Sequence, residues 1–443
     1  MSATAPRPVP FTLMVGGLSG WRRAGSRAEE ARGLPFHAEI ARRAEDAGFD
    51  ALFIADVPFV DPAAVTVPPY THLEPVTLFS ALAALTTRIA LVPTVSSTYS
   101  HPYHVARQIS SLQHLSEDRV GVNIVTSFQG ERNYGFDAIP CPAERYARAT
   151  EFVHVLERLW SSWEPGALLF DREAGRYADP ARVHAIDHTG EHFTVAGPLD
   201  VVPRNTRPLL FQAGASDLGR ALAAEIADVV YTAQPTAALA RRFYTALKSE
   251  VIGRGRAADE VAVLTGVSLV LAETDDEARR IRDEINGPLS LEIGLTRVAG
   301  QLGGADLSGL DLDAPVPAER IPDVTAVQRR QGRFEVFRSL AVDENYTLRE
   351  LIRHELTSSG HWVLTGTPAT IADALEERVR SGGTDGFNIS VPQFPEGPEL
   401  LFDELVPELK RRGLFRTAPP ARDLRARFGL APRTVPLPAE VNA

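Results

Sequence analysis

Cysteine is almost absent. Among 443 residues there is one, Cys141, so no intrachain disulfide can form and no zinc site can be built on cysteine ligands. It stands between two prolines in IPCPAERY, and an inert thiol is expected there rather than a nucleophile. Long apolar runs are also missing. No stretch approaches the roughly 18 apolar residues of a transmembrane helix. The opening MSATAPRPVPFTLMVGG has no clear basic n-region and no sustained apolar h-region. A cytoplasmic protein in a reducing compartment, without a membrane partner, is expected. Positive charge is in the minority: 46 Lys and Arg stand against 57 Asp and Glu, a net charge of −11. That argues against a nucleic-acid surface. The acidic residues are scattered, so no anionic tail is implied.

What is present is ordinary globular material, 44% hydrophobic and 23% charged, ordered as an alternation. Near-continuous apolar runs appear at Phe11 to Gly17, Ala51 to Asp56, Arg88 to Thr94, Arg119 to Thr126, Pro208 to Ala213, Asp228 to Ala233, Val261 to Ala272 and Gly386 to Val391. Runs of this kind, without polar alternation, suit parallel strands covered on both faces. Helical spacing fills the intervals, as in HAEIARRAEDAG, which stops on Gly48, and in ERYARATEFVHVLERLW. Near the C-terminus Leu401, Leu405 and Leu409 recur every fourth residue beside Phe402 and Val406, an apolar helical stripe. Eight strands alternating with helices predict an α/β fold of the (β/α)₈ TIM-barrel type. A doubly wound sheet is the alternative. It usually carries a GxGxxG turn after its first strand, and GGLSGW lacks that spacing. One barrel can absorb the whole chain, so residues 1–443 are expected to form a single domain with long insertions.

Two stretches interrupt the repeat. Glu164 to Pro208 is a long connection with strand-like pieces such as HFTVAG. Gly287 to about Asn345 is rich in Gly, Pro and Asp. Loops this long are usually functional or disordered, and barrel sites sit on βα loops, so residues 287–345 are expected to cover the substrate as a lid. The Pro/Ala/Arg-rich tail, residues 416–443, is expected to wrap a neighbouring subunit or to be mobile.

Polar residues gather at the predicted C-terminal strand ends: Asp56, Thr94, Asn123 and Thr126, then Gly214 and Ser216. On a barrel these ends converge on one rim. Each alone is more often a helix cap than a ligand group. Ser216, in QAGASDLGRALAAEIAD, opens a helix after a strand–glycine turn. Free amides and the helix dipole there suit a phosphate, while an ordinary N-cap explains the same residue equally well. His101 and His104 in SHPYHVARQ are three residues apart, but no partner with ligand spacing lies nearby and no metal site is expected.

Several segments together resemble a known family. NIVTSFQGERNYGFD, ERYARATEF, QAGASDLGR and GTPATIADALEERV…TDGFNISVPQFPEGPELLFDELVPELKRRGLF are similar to the nitrilotriacetate/dibenzothiophene-sulfone monooxygenases, a branch of the bacterial-luciferase-like flavin monooxygenases. The likeness runs from about Phe11 to Phe415. It implies a luciferase-like barrel, reduced FMN delivered by a separate NAD(P)H:flavin reductase, O₂ as co-substrate, a flavin hydroperoxide as oxidant, and a small sulfur- or nitrogen-containing substrate. It also implies a homodimer or homotetramer. Flavin-contact positions carry over to Asp56 and Thr94 near the ring system, Asn123 beneath it, and Tyr146 and Ser216 at the phosphate. Two departures stand out. Pro142 occupies a place four residues before Tyr146 where relatives often have histidine, and the loop between Asp56 and Glu74 is shorter than usual. No residue is assigned as catalytic. His101, His104 and His361 are candidates for acid–base work because histidine as a residue type titrates near neutrality, with a structural role favoured for His361. A deazaflavin-dependent oxidoreductase and a non-catalytic flavin-binding barrel are the alternatives.

Overall fold

The computed structural model describes residues 9–16, 20–60, 62, 73–204, 206–286, 291–327 and 331–431. Eight parallel strands close a barrel: β1 (Phe11–Met14), β2 (Ala51–Ile54), β3 (Ala90–Ser96), β4 (Gly121–Val125), β5 (Leu209–Ala213), β6 (Val229–Thr232), β7 (Ala262–Leu271) and β8 (Gly386–Ser390). Closure is set by two registers. Thr12 of β1 faces Asn388 of β8, and Val229 of β6 faces Ala262 of β7. Each of the eight apolar runs marks one barrel strand, β3 extending two residues beyond its run to Ser96.

The continuity of those runs has a physical cause. Outward side chains such as Leu52, Leu91, Val122 and Ile389 are buried under the helices. Inward ones, Phe53, Val92, Phe211 and Leu264, fill the barrel. Both faces lie away from water, so neither demands a polar residue at alternate positions. The covering helices include α1 (Leu34–Ala47), α2 (Pro75–Ala83), α3 (Pro102–Ser116), α4 (Pro142–Trp160), α5 (Asp217–Ile226), α6 (Ala237–Gly253), α7 (Asp275–Asn286) and, following the second insertion, residues Pro368–Arg380. Gly48 ends α1 in the left-handed conformation, φ 99°. Leu401, Leu405 and Leu409 are buried on the last long helical segment, which passes through a π turn at Leu401–Leu405.

Two features go beyond the sequence expectations, and the strand-like pieces expected in the earlier insertion are present. A ninth strand, Trp362–Gly366, lies outside the barrel and pairs with the second half of β7, from Val267↔Trp362 to Leu271↔Gly366. The ten-residue length of β7 makes this possible, because its first half pairs β6. The Gly/Pro/Asp-rich insertion is largely helical. It contains α8 (Leu291–Gln301), α9 (Gln331–Val342) and α10 (Leu348–Ser358), packed about their own core of Val298, Leu302, Phe337, Leu340, Leu351 and Leu356. It therefore runs past Asn345. The earlier insertion holds two small hairpins, Leu168–Asp171 with Arg176–Ala178 and His188–Thr189 with Thr194–Val195.

The tail corrects an expectation. Its described part neither leaves the molecule nor lacks structure. Leu424, Phe428 and Leu430 insert into the inner barrel cluster beside Phe211, closing the mouth at the N-terminal strand ends. Arg427, 2% exposed, donates to the carbonyls of Asp50 and Arg88, each at 2.9 Å, and to that of Ala421. Arg416 pairs with Asp50 at 2.7 Å, and Arg425 and Arg207 pair with Asp228 at 2.7 and 2.8 Å. The sequence pattern missed this because a proline-rich, arginine-rich segment has the composition of a linker. What makes it a plug is three apolar side chains meeting the open end of a barrel. Residues 432–443, and residues 61 and 63–72 of the loop expected to be short, lie outside the described residues.

Candidate active site

At the opposite mouth, above the C-terminal strand ends, is a cavity of about 970 Å³. That is the upper end of the range for small-molecule sites, which run to roughly 1,000 Å³. Barrel residues form its floor: Met14, Asp56, Val125, Ala213, Tyr231, Ser268 and Ser390. The start of α4 and the β5–α5 turn form one wall. The insertion forms the other, with residues of α8, α9 and α10 and His361.

The β5–α5 turn brings a helix start, two hydroxyls and three glycines together. Ser216 caps α5, accepting the Gly219 N–H at 3.2 Å. Gly214 and Gly219 allow the helix to sit close on the turn, since a Cβ on Gly219 would stand 3.1 Å from the Gly214 Cα. Tyr146, one turn into α4, brings its hydroxyl to 3.5 Å from the Ser216 hydroxyl. Gly332 of α9 faces the same helix start, where a Cβ would lie 3.1 Å from the amide nitrogens of Ala215 and Ser216. At this approach the insertion carries no side chain to fill the space.

Of the five residues singled out for the flavin, Asp56, Tyr146 and Ser216 line the cavity. Thr94 and Asn123 lie below its floor, 3% and 2% exposed. They are joined to each other: the Asn123 amide donates to the Thr94 hydroxyl at 2.9 Å, and that hydroxyl donates to the Ile54 carbonyl at 2.6 Å. Among the described residues the Asn123 amide oxygen has no hydrogen-bond partner, and across the barrel neither polar atom of the Asn388 side chain has one. Buried polar atoms are nearly always satisfied, so the barrel interior beneath the cavity retains hydrogen-bonding capacity. Pro142 stands at the cavity wall as the first residue of α4.

The histidines separate. His101 caps α3, accepting the Tyr103 N–H, and packs edge-on against Phe193. His104 is exposed on that helix. His361 alone of the three lines the cavity. Its Nε2 lies 3.1 Å from the Tyr231 hydroxyl and 2.8 Å from the Arg333 guanidinium. Gly266 of β7 makes room for the pair; a Cβ there would stand 2.6 Å from both the His361 ring and the Tyr231 hydroxyl. The sequence ordering of these histidines is therefore reversed by the structure. His361 follows an insertion of no fixed periodicity, and its place over β6 and β7 depends on how α10 returns to the barrel. Sequence reasoning also missed Arg297, Arg333 and Glu355, which the insertion brings to the wall.

Comparison with known proteins agrees with this architecture. The luciferase-like monooxygenase family model matches residues 14–385. The chain belongs to the luciferase-like monooxygenases. With the monooxygenases it is similar to, this makes the chain a monooxygenase of the flavin-dependent kind. The chain is 38% identical to nitrilotriacetate monooxygenase component A of Aminobacter aminovorans, over 97% of this chain and 98% of that protein. It is 37% identical to N-acetyl-S-(2-succino)cysteine monooxygenase of Bacillus subtilis (strain 168), over 93% of each. Among solved structures, a riboflavin lyase crystallised with modified FMN and riboflavin superposes with a TM-score of 0.83 at 28% identity, covering 96% of both chains.

Proposed function

We propose that this luciferase-like monooxygenase is the oxygenase component of a two-component system, taking reduced FMN from a separate NAD(P)H:flavin reductase and using O₂ to oxygenate a small nitrogen- or sulfur-containing molecule. The observation that carries the FMN assignment is the meeting of Tyr146 and Ser216 at the start of α5. A helix N-terminus with two hydroxyls and a side-chain-free approach at Gly332 fits a phosphate. The cavity is large enough for a flavin with a small substrate. Component-based relatives such as the nitrilotriacetate enzyme support a separate reductase.

In this reading Ser216, Tyr146 and the α5 amides hold the phosphate, Asp56 stands at the ring end, and Thr94 and Asn123 brace the floor beneath it. When bound, the reduced flavin supplies the electrons that activate O₂; the hard chemistry belongs to the cofactor. The protein excludes water from the cavity with the insertion, serving as a lid, and holds the substrate beside the ring. His361, fixed between Tyr231 and Arg333, is the cavity histidine placed to hold or pass a proton at Nε2.

The test is anaerobic titration with photoreduced FMN, followed by oxygen uptake with an active flavin reductase. Saturable binding of reduced FMN, and substrate-dependent oxygen uptake without matching release of H₂O₂, are expected. Absence of binding overturns the proposal. Ser216→Ala is expected to weaken FMN by about tenfold to a hundredfold while leaving phosphate-free riboflavin nearly unchanged, since a hydrogen bond to a charged group contributes roughly 1.5–3 kcal/mol. Equal losses for both ligands remove the phosphate assignment.

A further inference from the structure

The insertion wall differs in charge from the barrel floor. On α8, Arg297, Gly300 and Gln301 all line the cavity. Gly300 and Gln301 stand three and four residues after Arg297, which puts the three on one face of the helix. Gly300 leaves Arg297 and Gln301 as the side chains of that face. Gln301 is engaged, donating to Glu355 of α10 at 2.9 Å. Arg297 makes no hydrogen bond or ion pair with any described residue. On α9, Arg333 also lines the cavity, its guanidinium fixed by a 2.8 Å contact to His361.

An arginine that faces a cavity without a counter-ion is a candidate receptor for an anion. The guanidinium's fork of donors matches a carboxylate in two-point geometry. The phosphate has a different place. It is assigned to the β5–α5 turn, which α9 meets at Gly332, whereas Arg297 stands on α8, a different helix that packs on α9 and α10.

We propose that Arg297, on the insertion wall of the cavity, forms a carboxylate subsite, so that the substrate of this enzyme is a small carboxylated molecule rather than a neutral apolar one. The proposal deepens the oxygenase reading above and rests on it for the word substrate. Binding at the subsite is measurable without turnover.

Isothermal titration of the full-length protein, flavin-free and then loaded with FMN, uses nitrilotriacetate and thiodiglycolate as probes, each paired with its methyl esters. At least one free acid is expected to bind in the millimolar range or tighter, with its ester binding at least tenfold more weakly. Arg297→Met is expected to weaken the acid by about tenfold to a hundredfold, the range for loss of a charge-assisted hydrogen bond. Arg297→Lys retains the charge and is expected to lose less. Both variants should keep the wild-type affinity for reduced FMN, which also reports that they fold. The proposal is overturned if esters bind as well as acids, if neither acid binds, or if Arg297→Met leaves acid binding intact. It is also overturned if Arg297→Met weakens FMN but not riboflavin, since Arg297 would then serve the cofactor phosphate. Failure of reduced FMN to bind the wild-type protein strikes the oxygenase reading and leaves the acid–ester comparison standing.

Discussion

The two mouths of the barrel are built on opposite principles. At the N-terminal strand ends the tail fills the opening with Leu424, Phe428 and Leu430, and its arginines meet named acceptors. At the C-terminal strand ends a cavity of about 970 Å³ is left open, with Arg297 unpaired among the described residues and orphaned amide atoms on Asn123 and Asn388 beneath it. Unfilled space and unsatisfied polar groups cost stability. The molecule carries them at the mouth where barrel enzymes place chemistry and removes them at the other. Closure of one end by the chain's own terminus and incompleteness of the other are thus complementary: one stabilises the barrel, the other leaves room for a ligand.

The comparison can be broken most forcefully at the plug. Ending the chain at Phe415 removes three buried apolar side chains, each contributing about 1.5–3 kcal/mol, and uncovers Asp50 and Asp228. A loss of about 5 kcal/mol or more is expected, read as a large shift of the urea midpoint or as insoluble expression; a near-wild-type midpoint would show the plug to be ornamental. Arg427→Ala is milder. It deprives the carbonyls of Asp50, Arg88 and Ala421 of their donor, at roughly 1–3 kcal/mol for a buried group left unpaired. Turnover per folded molecule should not change, which a parallel assay of activity against soluble protein checks.

At the open mouth the balance should invert. Gly266→Ala drives a methyl group into the His361 ring and the Tyr231 hydroxyl, each at 2.6 Å. The expected stability loss is about 1–3 kcal/mol, the usual cost of overpacking, while turnover falls disproportionately because His361 is displaced. Wild-type kcat with a lowered Tm would show that this pair does not serve the reaction.

The smallest expected effect is a pH dependence that separates the two plug carboxylates. Burial pushes the Asp50 carboxyl up to about 6, with Arg416 and the Phe11 N–H opposing it. Its protonated form favours the fold, so its contribution is present below pH 4 and is lost as pH rises through 6. Burial also raises Asp228, but Arg207 and Arg425 outweigh it and hold the carboxyl below its usual value. Its contribution is present above about pH 4 and is lost as pH falls further. Thermal melts of Asp50→Asn against wild type between pH 4 and 8 should differ in slope mainly between pH 4 and 6; parallel curves would deny Asp50 its raised value.

The eight strand runs, the cap at Ser216 and the Leu401–Leu405–Leu409 stripe were legible in the sequence because each is a local pattern: apolar continuity, a glycine turn before a capping serine, a four-residue repeat. Neighbouring residues carry such signals whatever the rest of the chain does. The approach of Tyr146 to Ser216, and the burial of Thr94 and Asn123 beneath the cavity, could not be read from spacing. They depend on barrel register and on where α4 starts. Only the tertiary structure decided that the tail is a plug, that the insertion is a helical wall, and that His361 and Arg297 face the cavity. In each of these cases the partner lies far along the chain. A linker-like composition becomes a core when it meets an open barrel end, and an unpaired arginine becomes a binding group when folding turns it toward an enclosed space.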